Sequence, residues 1–194
     1  MGEYHEAWTL SREAYHMAQR FGNQVIPAWR LLNLGTISFE QGDYDEALRY
    51  AQQSHMMFQQ IQHRWGPGAA ILQIGQILLE QGYLDEAERT FRKGLAIFQA
   101  SHDIFGETSA LFQLGKAHYA SGDQTAACER MLTSLNMAHE RQYLLNLLRF
   151  LGEFGRMLAE TISSPSAIEV LSYVAHSPAT PYHAKKQAQV VLTR

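Results

Sequence analysis

The sequence predicts an all-α solenoid, a row of paired antiparallel helices stacked one unit on the next. Three observations predict it. The stretch Asn33 to Leu48 recurs in register: Gly35, Gly42 and Ala47 return as Gly75, Gly82 and Ala87, and again as Gly115, Gly122 and Ala127, an interval of 40 residues. One interval back lie Gly2 and Ala7, and one forward lie Gly155 and Ala167. Self-similarity at a period of 20 to 50 residues marks a solenoid. Within each unit the apolar residues follow the i, i+3, i+4, i+7 spacing of amphipathic helices. Glycine and proline also return at fixed places, where helices stop and start.

In chain order, residues 3–22 hold one helix with apolar or small residues at Tyr4, Ala7, Trp8, Ser11, Ala14, Tyr15 and Ala18. By register it is the second helix (B) of a unit whose first helix (A) is missing. That arrangement points to a piece of a longer protein or to an unpaired first helix. An uncovered face with Trp8 and Tyr15 is expected to favour self-association.

The first full repeat spans 23–62. Asn23 is placed to cap its helix A, Pro27 falls in the first turn, and Leu31, Leu34 and Ile37 lead to Gln41 and a left-handed Gly42. Asp43 with Glu46 opens helix B like a capping box, and Ala47, Leu48, Ala51, His55 and Phe58 continue it. The second repeat, 63–102, repeats the scheme with Pro67, Ile71, Ile74, Leu78, Gly82, Ala87, Phe91, Leu95 and Phe98. There Tyr83 is a poor cap, but Asp85 and Glu86 put negative charge at the helix start. The third, 103–142, runs from Asp103 through Leu111, Leu114 and Tyr119 to Gly122, then from Asp123 through Ala127, Met131, Leu135 and Ala138. A divergent repeat, 143–176, keeps Leu151, Phe154 and Gly155 in register and opens helix B at Ser164-Pro165. After the stop Ser177-Pro178-Ala179-Thr180-Pro181, residues 181–194 are expected to form a capping helix over the open end, making about ten helices in one domain.

Gly35, Gly75, Gly115 and Gly155 fall in mid-helix, where glycine costs roughly 1 kcal/mol against alanine. Their recurrence is explained if helix A presses against helix B there, opposite Ala47, Ala87, Ala127 and Ala167.

The stretches NLGTISFEQGDYDEAL, QIGQILLEQGYLDEAE and QLGKAHYASGDQTAAC resemble tetratricopeptide repeats over residues 1 to about 176. The period exceeds the family's usual 34 residues, so each helix is longer by roughly 4.5 Å and the groove deeper. Arrays of this longer period resemble the C-terminal sensor regions of bacterial signal-transduction ATPases of the STAND type and of large transcriptional regulators such as the maltose activator. The resemblance implies a right-handed α-α superhelix with helices A on the concave wall.

On that wall the residues left over from packing against helix B are Trp29, Leu32, Asn33, Thr36 and Phe39, then Leu72, Gln73, Gln76, Leu79 and Glu80, then Phe112, Gln113, Lys116 and Tyr119, then Arg149 and Arg156. Asn33, Gln73 and Gln113 read as a ladder of amides for an extended peptide backbone. Lys116, Arg149 and Arg156 give one end a positive character suited to a carboxylate. The alternative is that Trp29, Leu32, Leu72 and Phe112 pack between neighbouring helices A and that the amides are only solvated repeat positions.

Composition narrows the function classes. Among 194 residues, 46% are hydrophobic and 18% charged, with a formal net charge of −3, so no basic face offers itself to nucleic acid. Cys128 is the only cysteine, which excludes an internal disulfide and reads as a buried, inert thiol. No apolar run is long enough to span a membrane, and the N-terminus does not read as a signal peptide. A reducing cytoplasm is therefore expected. Nine histidines form no HExxH or comparable ligand pair, Met56-Met57-Phe58 reads as core and adjoining surface, and Gly66-Pro67-Gly68 starts a helix without a phosphate loop. No nucleophile and base can be assembled, so neither catalysis, cofactor nor metal is expected. The expected function is a non-catalytic interaction or sensor module that binds a peptide or partner domain in the groove. The expected setting is a larger bacterial signalling or transcription regulator. A small-molecule effector site and an oligomerisation scaffold are the alternatives.

Overall fold

The computed structural model describes residues 2–20, 22, 24–162, 172 and 176. Eight helices account for nearly all of them: α1 (Gly2–Arg20), α2 (Val25–Glu40), α3 (Tyr44–Gln60), α4 (Gly66–Glu80), α5 (Leu84–Ser101), α6 (Ile104–Ala120), α7 (Gln124–Glu140) and α8 (Leu144–Ile162). No strand occurs among the described residues, which are all-α. The expected cap Asn23, helix B of the divergent repeat and the capping helix 181–194 lie outside the described residues.

Each helix packs on the next in sequence, from α1 on α2 through α7 on α8. In addition α2 meets α4 and α4 meets α6, while no comparable contact joins α3 with α5 or α5 with α7 among the described residues. A stack drawn together on one side and spread on the other must curve. The inner wall is therefore made by α2, α4 and α6, the first helix of each pair.

The turns explain why the pairs form. Gly42, Gly82 and Gly122 have φ of 81°, 83° and 87°, the left-handed conformation that glycine adopts without a steric penalty. The Asp43 N–H then donates to Ser38 O, the Tyr83 N–H to Leu78 O and the Asp123 N–H to His118 O, each at 2.9 Å, the bond of a Schellman stop. Asp43, Asp103 and Asp123 accept from the N–H groups of Glu46, Gly106 and Ala126 and so cap the helices that follow. Tyr83 makes no side-chain cap. The return turns use the same left-handed step, taken by Gly22 at φ 69° in the first and by Gln62, His102 and Gln142 at 51°, 54° and 56° in the next three.

The core is a series of clusters, one between each unit and the next. One joins Leu72, Phe91, Phe98, Ala110 and Leu114; the following one joins Phe112, Met131, Leu135, Phe150 and Met157, with the Phe112 and Phe150 rings stacked at 4.2 Å. Ala47, Ala87 and Ala127 are buried. A Cβ on Gly75 would meet the Phe91 ring at 2.5 Å, and one on Gly115 would meet Met131 Cγ at 2.6 Å and the Ala127 carbonyl at 3.1 Å. Those two glycines admit helix B. Gly35 differs: its Cβ would meet the Gln73 amide of α4 at 2.9 Å. The residue at the place of Phe91 in the first pair is Ala51, so helix B leaves room, and the glycine makes space for the neighbouring helix A instead.

A second complementarity sits at the return turns. Gly66 receives the Phe58 ring and Gly106 the Phe98 ring, each so closely that an added Cβ would collide with several ring atoms. At the corresponding positions of the other turns stand Ala18 with Ile26 and Ala138 with Asn146. A large side chain at the end of one helix is matched by no side chain at the start of the next. Where alanine ends the helix, the next one carries a side chain. Two buried hydroxyls fasten the same region, Ser54 donating to Ala28 O at 2.7 Å and Ser134 to Thr108 O at 2.8 Å.

On α1, Trp8 and Tyr15 are half-buried against Leu31, Leu34 and Tyr50. The aromatic pair thus faces the next helices, and the outer side of α1 carries Leu10 and Met17 instead. Cys128 is half-buried. No described helix is long and apolar enough to cross a membrane.

Candidate functional site

The inner wall separates the expected groove residues into three sets. Leu32, Leu72 and Phe112 are buried, and with them Gln73 and Gln113, which are only 9% and 5% exposed. Leu32, Leu72 and Phe112 belong to the clusters between helices and Gln73 bonds to α2, so these four shape the wall from behind. Gln73 shows why an amide is found there: its Nε2 donates to Leu32 O at 3.0 Å and to Thr36 Oγ1 at 2.8 Å, tying α4 to α2 across Gly35. The amide ladder is therefore not presented as one surface, because of its members only Asn33 is exposed.

Four more are held by their neighbours and show one side. Trp29 packs edge-on to Phe58 at 4.7 Å and against Trp65 at 4.8 Å. Phe39 lies beside Tyr44 at 5.7 Å. Leu79 rests on the cluster of Phe91 and Leu114. Tyr119 leans on Met131 and Phe150 and donates its hydroxyl to Met157 O at 3.4 Å.

The remaining set is polar. Asn33 and Thr36 on α2 are exposed and Gln76 on α4 is half-exposed; Glu80, also exposed, closes α4. Lys116 on α6, Arg149 and Arg156 on α8 follow along the wall. Lys116 reaches across to Glu153 of α8, Nζ to Oε2 2.9 Å, with the two side chains 21% and 18% exposed. Both side chains are largely covered, and the contact fixes where the two charges stand.

Arg149 carries its guanidinium over the Phe150 ring at 5.0 Å. Desolvation lowers its pKa below the ordinary arginine value, and Glu153 partly reverses the shift. Even so, the residue is exposed. It stays charged, as arginine does. Glu153 thus stands beside two cations, Lys116 and Arg149.

Glu153 is the residue that the sequence reading missed. The signal was present: Arg149, Glu153 and Arg156 follow at i, i+4 and i+7 and so share one face of α8. Among the described residues no group of three or more His, Cys, Asp or Glu side chains is placed to hold a metal ion.

Two segments, residues 28–55 and 69–100, each match a family model described as tetratricopeptide repeat. No curated protein sequence matches the chain. Among solved structures it is similar to a Rap protein complexed with competence and sporulation factor, with TM-score 0.77 and 11% identity over 97% of this chain and 51% of that one. It is similar to BtubC (BKLC) from P. vanneervenii, with TM-score 0.73 and 10% identity over 97% of this chain and 81% of that one. A third is aspartyl phosphate phosphatase F from Bacillus subtilis, with TM-score 0.65 and 16% identity over 99% of this chain and 58% of that one. At such identities the likeness is one of fold. The chain spans about half the length of the Rap protein and under two thirds of the phosphatase. With the helix pairs, turn glycines and matched segments taken together, the chain carries tetratricopeptide repeats, built into an all-α solenoid.

Proposed function

We propose that this chain is a non-catalytic interaction module whose inner wall holds a peptide or an extended segment of a partner protein, with an acidic group of that partner seated at the α6–α8 end. The observation that carries the reading is geometric: Lys116 Nζ stands 2.9 Å from Glu153 Oε2, and on the same helix as that carboxylate the exposed Arg149 guanidinium lies over the Phe150 ring, two cations beside one carboxylate. A guanidinium is a strong, directional receptor for a carboxylate. Asn33, Thr36 and Gln76 offer donors and acceptors further along the wall, and the half-exposed faces of Trp29, Phe39, Leu79 and Tyr119 offer apolar contact. The Rap neighbour, a protein of the same fold complexed with a factor, supports the reading by likeness of architecture.

The chain's extent relative to the Rap protein, together with the long-period resemblance, supports a second part of the proposal. In this reading the module is one part of a larger bacterial signalling or transcription regulator, working through protein partners and without direct contact to nucleic acid or membrane.

The test is to select peptides from a random library on the immobilised chain and to measure their affinity for the chain and for a Lys116→Gln/Arg149→Gln/Arg156→Gln variant. The selected peptides are expected to be enriched in Asp and Glu. The variant is expected to bind them at least about 100-fold more weakly, since hydrogen bonds to charged groups contribute roughly 1.5–3 kcal/mol each. Its melting temperature should stay within a few degrees of the parent. Peptides without acidic enrichment, or equal binding by the variant, would remove the assignment.

A further inference from the structure

The forty-residue period also appears on a surface outside the inner wall. Four large apolar side chains stand exposed at one and the same register position: Val25 at 38%, Trp65 at 40%, Phe105 at 49% and Leu145 at 63%. Each lies where a return turn enters the first helix of a pair, at or next to the N-terminus of α2, α4, α6 and α8. Stacking of the units therefore sets them in a row along one edge of the solenoid. Shallow depressions lie between the turns that carry them, one bordered by Gln24, Met57 and Ile61, the next by Ile61, Arg64, His102 and Asp103.

Trp65 stands at the N-cap of α4, a place usually taken by a small polar residue, and Val25, Phe105 and Leu145 lie in the first turn of their helices. We propose that this edge is the contact between two copies of the chain, related by a two-fold axis that passes between positions 65 and 105. An evenly spaced row is complementary to itself under such an axis: Val25 of one copy meets Leu145 of the other, and Trp65 meets Phe105, as an isologous interface demands.

The area agrees. With about half of a surface of roughly 150–250 Å² exposed per aromatic residue, and somewhat less per aliphatic one, these four and the exposed Leu144 offer on the order of 450 Å². A standard interface takes roughly 800 Å² from each partner, about 65% of it apolar at the core. The row supplies such a core, and the polar turn residues Gln62, Arg64, His102 and Gln142 supply its rim.

The test is sedimentation equilibrium of the chain from about 1 μM to about 1 mM, the range in which an interface of modest size dissociates. The weight-average mass is expected to rise from the monomer value towards twice that value. Phe105→Glu alone and Trp65→Lys alone should each remain at the monomer mass across the range. The double variant Trp65→Lys/Phe105→Glu should regain the dimer, because lysine at 65 of each copy then faces glutamate at 105 of the other. That rescue separates a contact between copies from damage to the fold, which circular dichroism checks in parallel. A parent that stays at monomer mass at 1 mM overturns the proposal. Single variants that still dimerise overturn it too, as does a dimer lost only on Leu10→Glu/Met17→Glu, which would place the contact on the outer side of α1.

Discussion

Gly106→Ala is the sharpest probe of how the units are spaced. A Cβ at that position would lie within 2.5 Å of three atoms of the Phe98 ring. The ring is only 2% exposed and wedged among Phe91, Ala110 and Leu114, so it has nowhere to go. Overpacking of this kind costs about 1–3 kcal/mol, while alanine returns up to about 1 kcal/mol of helix propensity. A net loss of about 1–2 kcal/mol follows, read as a fall of roughly 2–8 °C in a thermal melt followed by circular dichroism. Phe98→Ala alone should cost about 3–5 kcal/mol. In that background the space above Gly106 is open, and Gly106→Ala should become neutral or slightly stabilising. The two positions should therefore be coupled by about 1–3 kcal/mol in a double-mutant cycle. An equal penalty for Gly106→Ala with and without Phe98 would refute the reasoning.

Two further outcomes are expected. Replacing Gln62, His102 and Gln142 by glycine removes three left-handed side-chain residues and should stabilise the chain by about 0.5–1 kcal/mol at each site, the αL penalty less the extra entropy of glycine; a melting temperature that does not rise would contradict the turn geometry. Glu153→Gln takes away the carboxylate that Lys116 and Arg149 share and should raise the affinity for acidic peptides by roughly three- to tenfold, with a steeper dependence on salt; unchanged affinity would show that those cations do not meet the ligand.

The sequence made the pairing of helices legible because two signals agreed, the apolar spacing along each helix and the glycine between helices. Gly42, Gly82 and Gly122 sit where the left-handed step is needed. The other left-handed step was less legible, since glycine marks it only once, at Gly22, and Gln62, His102 and Gln142 at the same register are not residues that announce it. The inner wall was harder. A helix of this array has neighbours on three sides, and amphipathic spacing cannot tell the side that meets the next helix A from the side that meets solvent. Polarity was no guide either: Gln73 and Gln113 are amides, yet they are buried, and Gln73 closes the space that Gly35 leaves. Phe112 is apolar and fully buried against Phe150, which the alternative reading of the sequence allowed. The charged end was legible in its cations but not in its balance, because Glu153 is four residues from Arg149 on its own helix and reaches Lys116 only through the fold.

The most direct measurement is hydrogen–deuterium exchange of the chain with and without a selected acidic peptide. The account predicts added protection in α6 and α8 around Lys116 and Arg149, with little change in α3, α5 and α7. Protection confined to α3, α5 and α7, or to the row of return turns at Trp65 and Phe105, would contradict it.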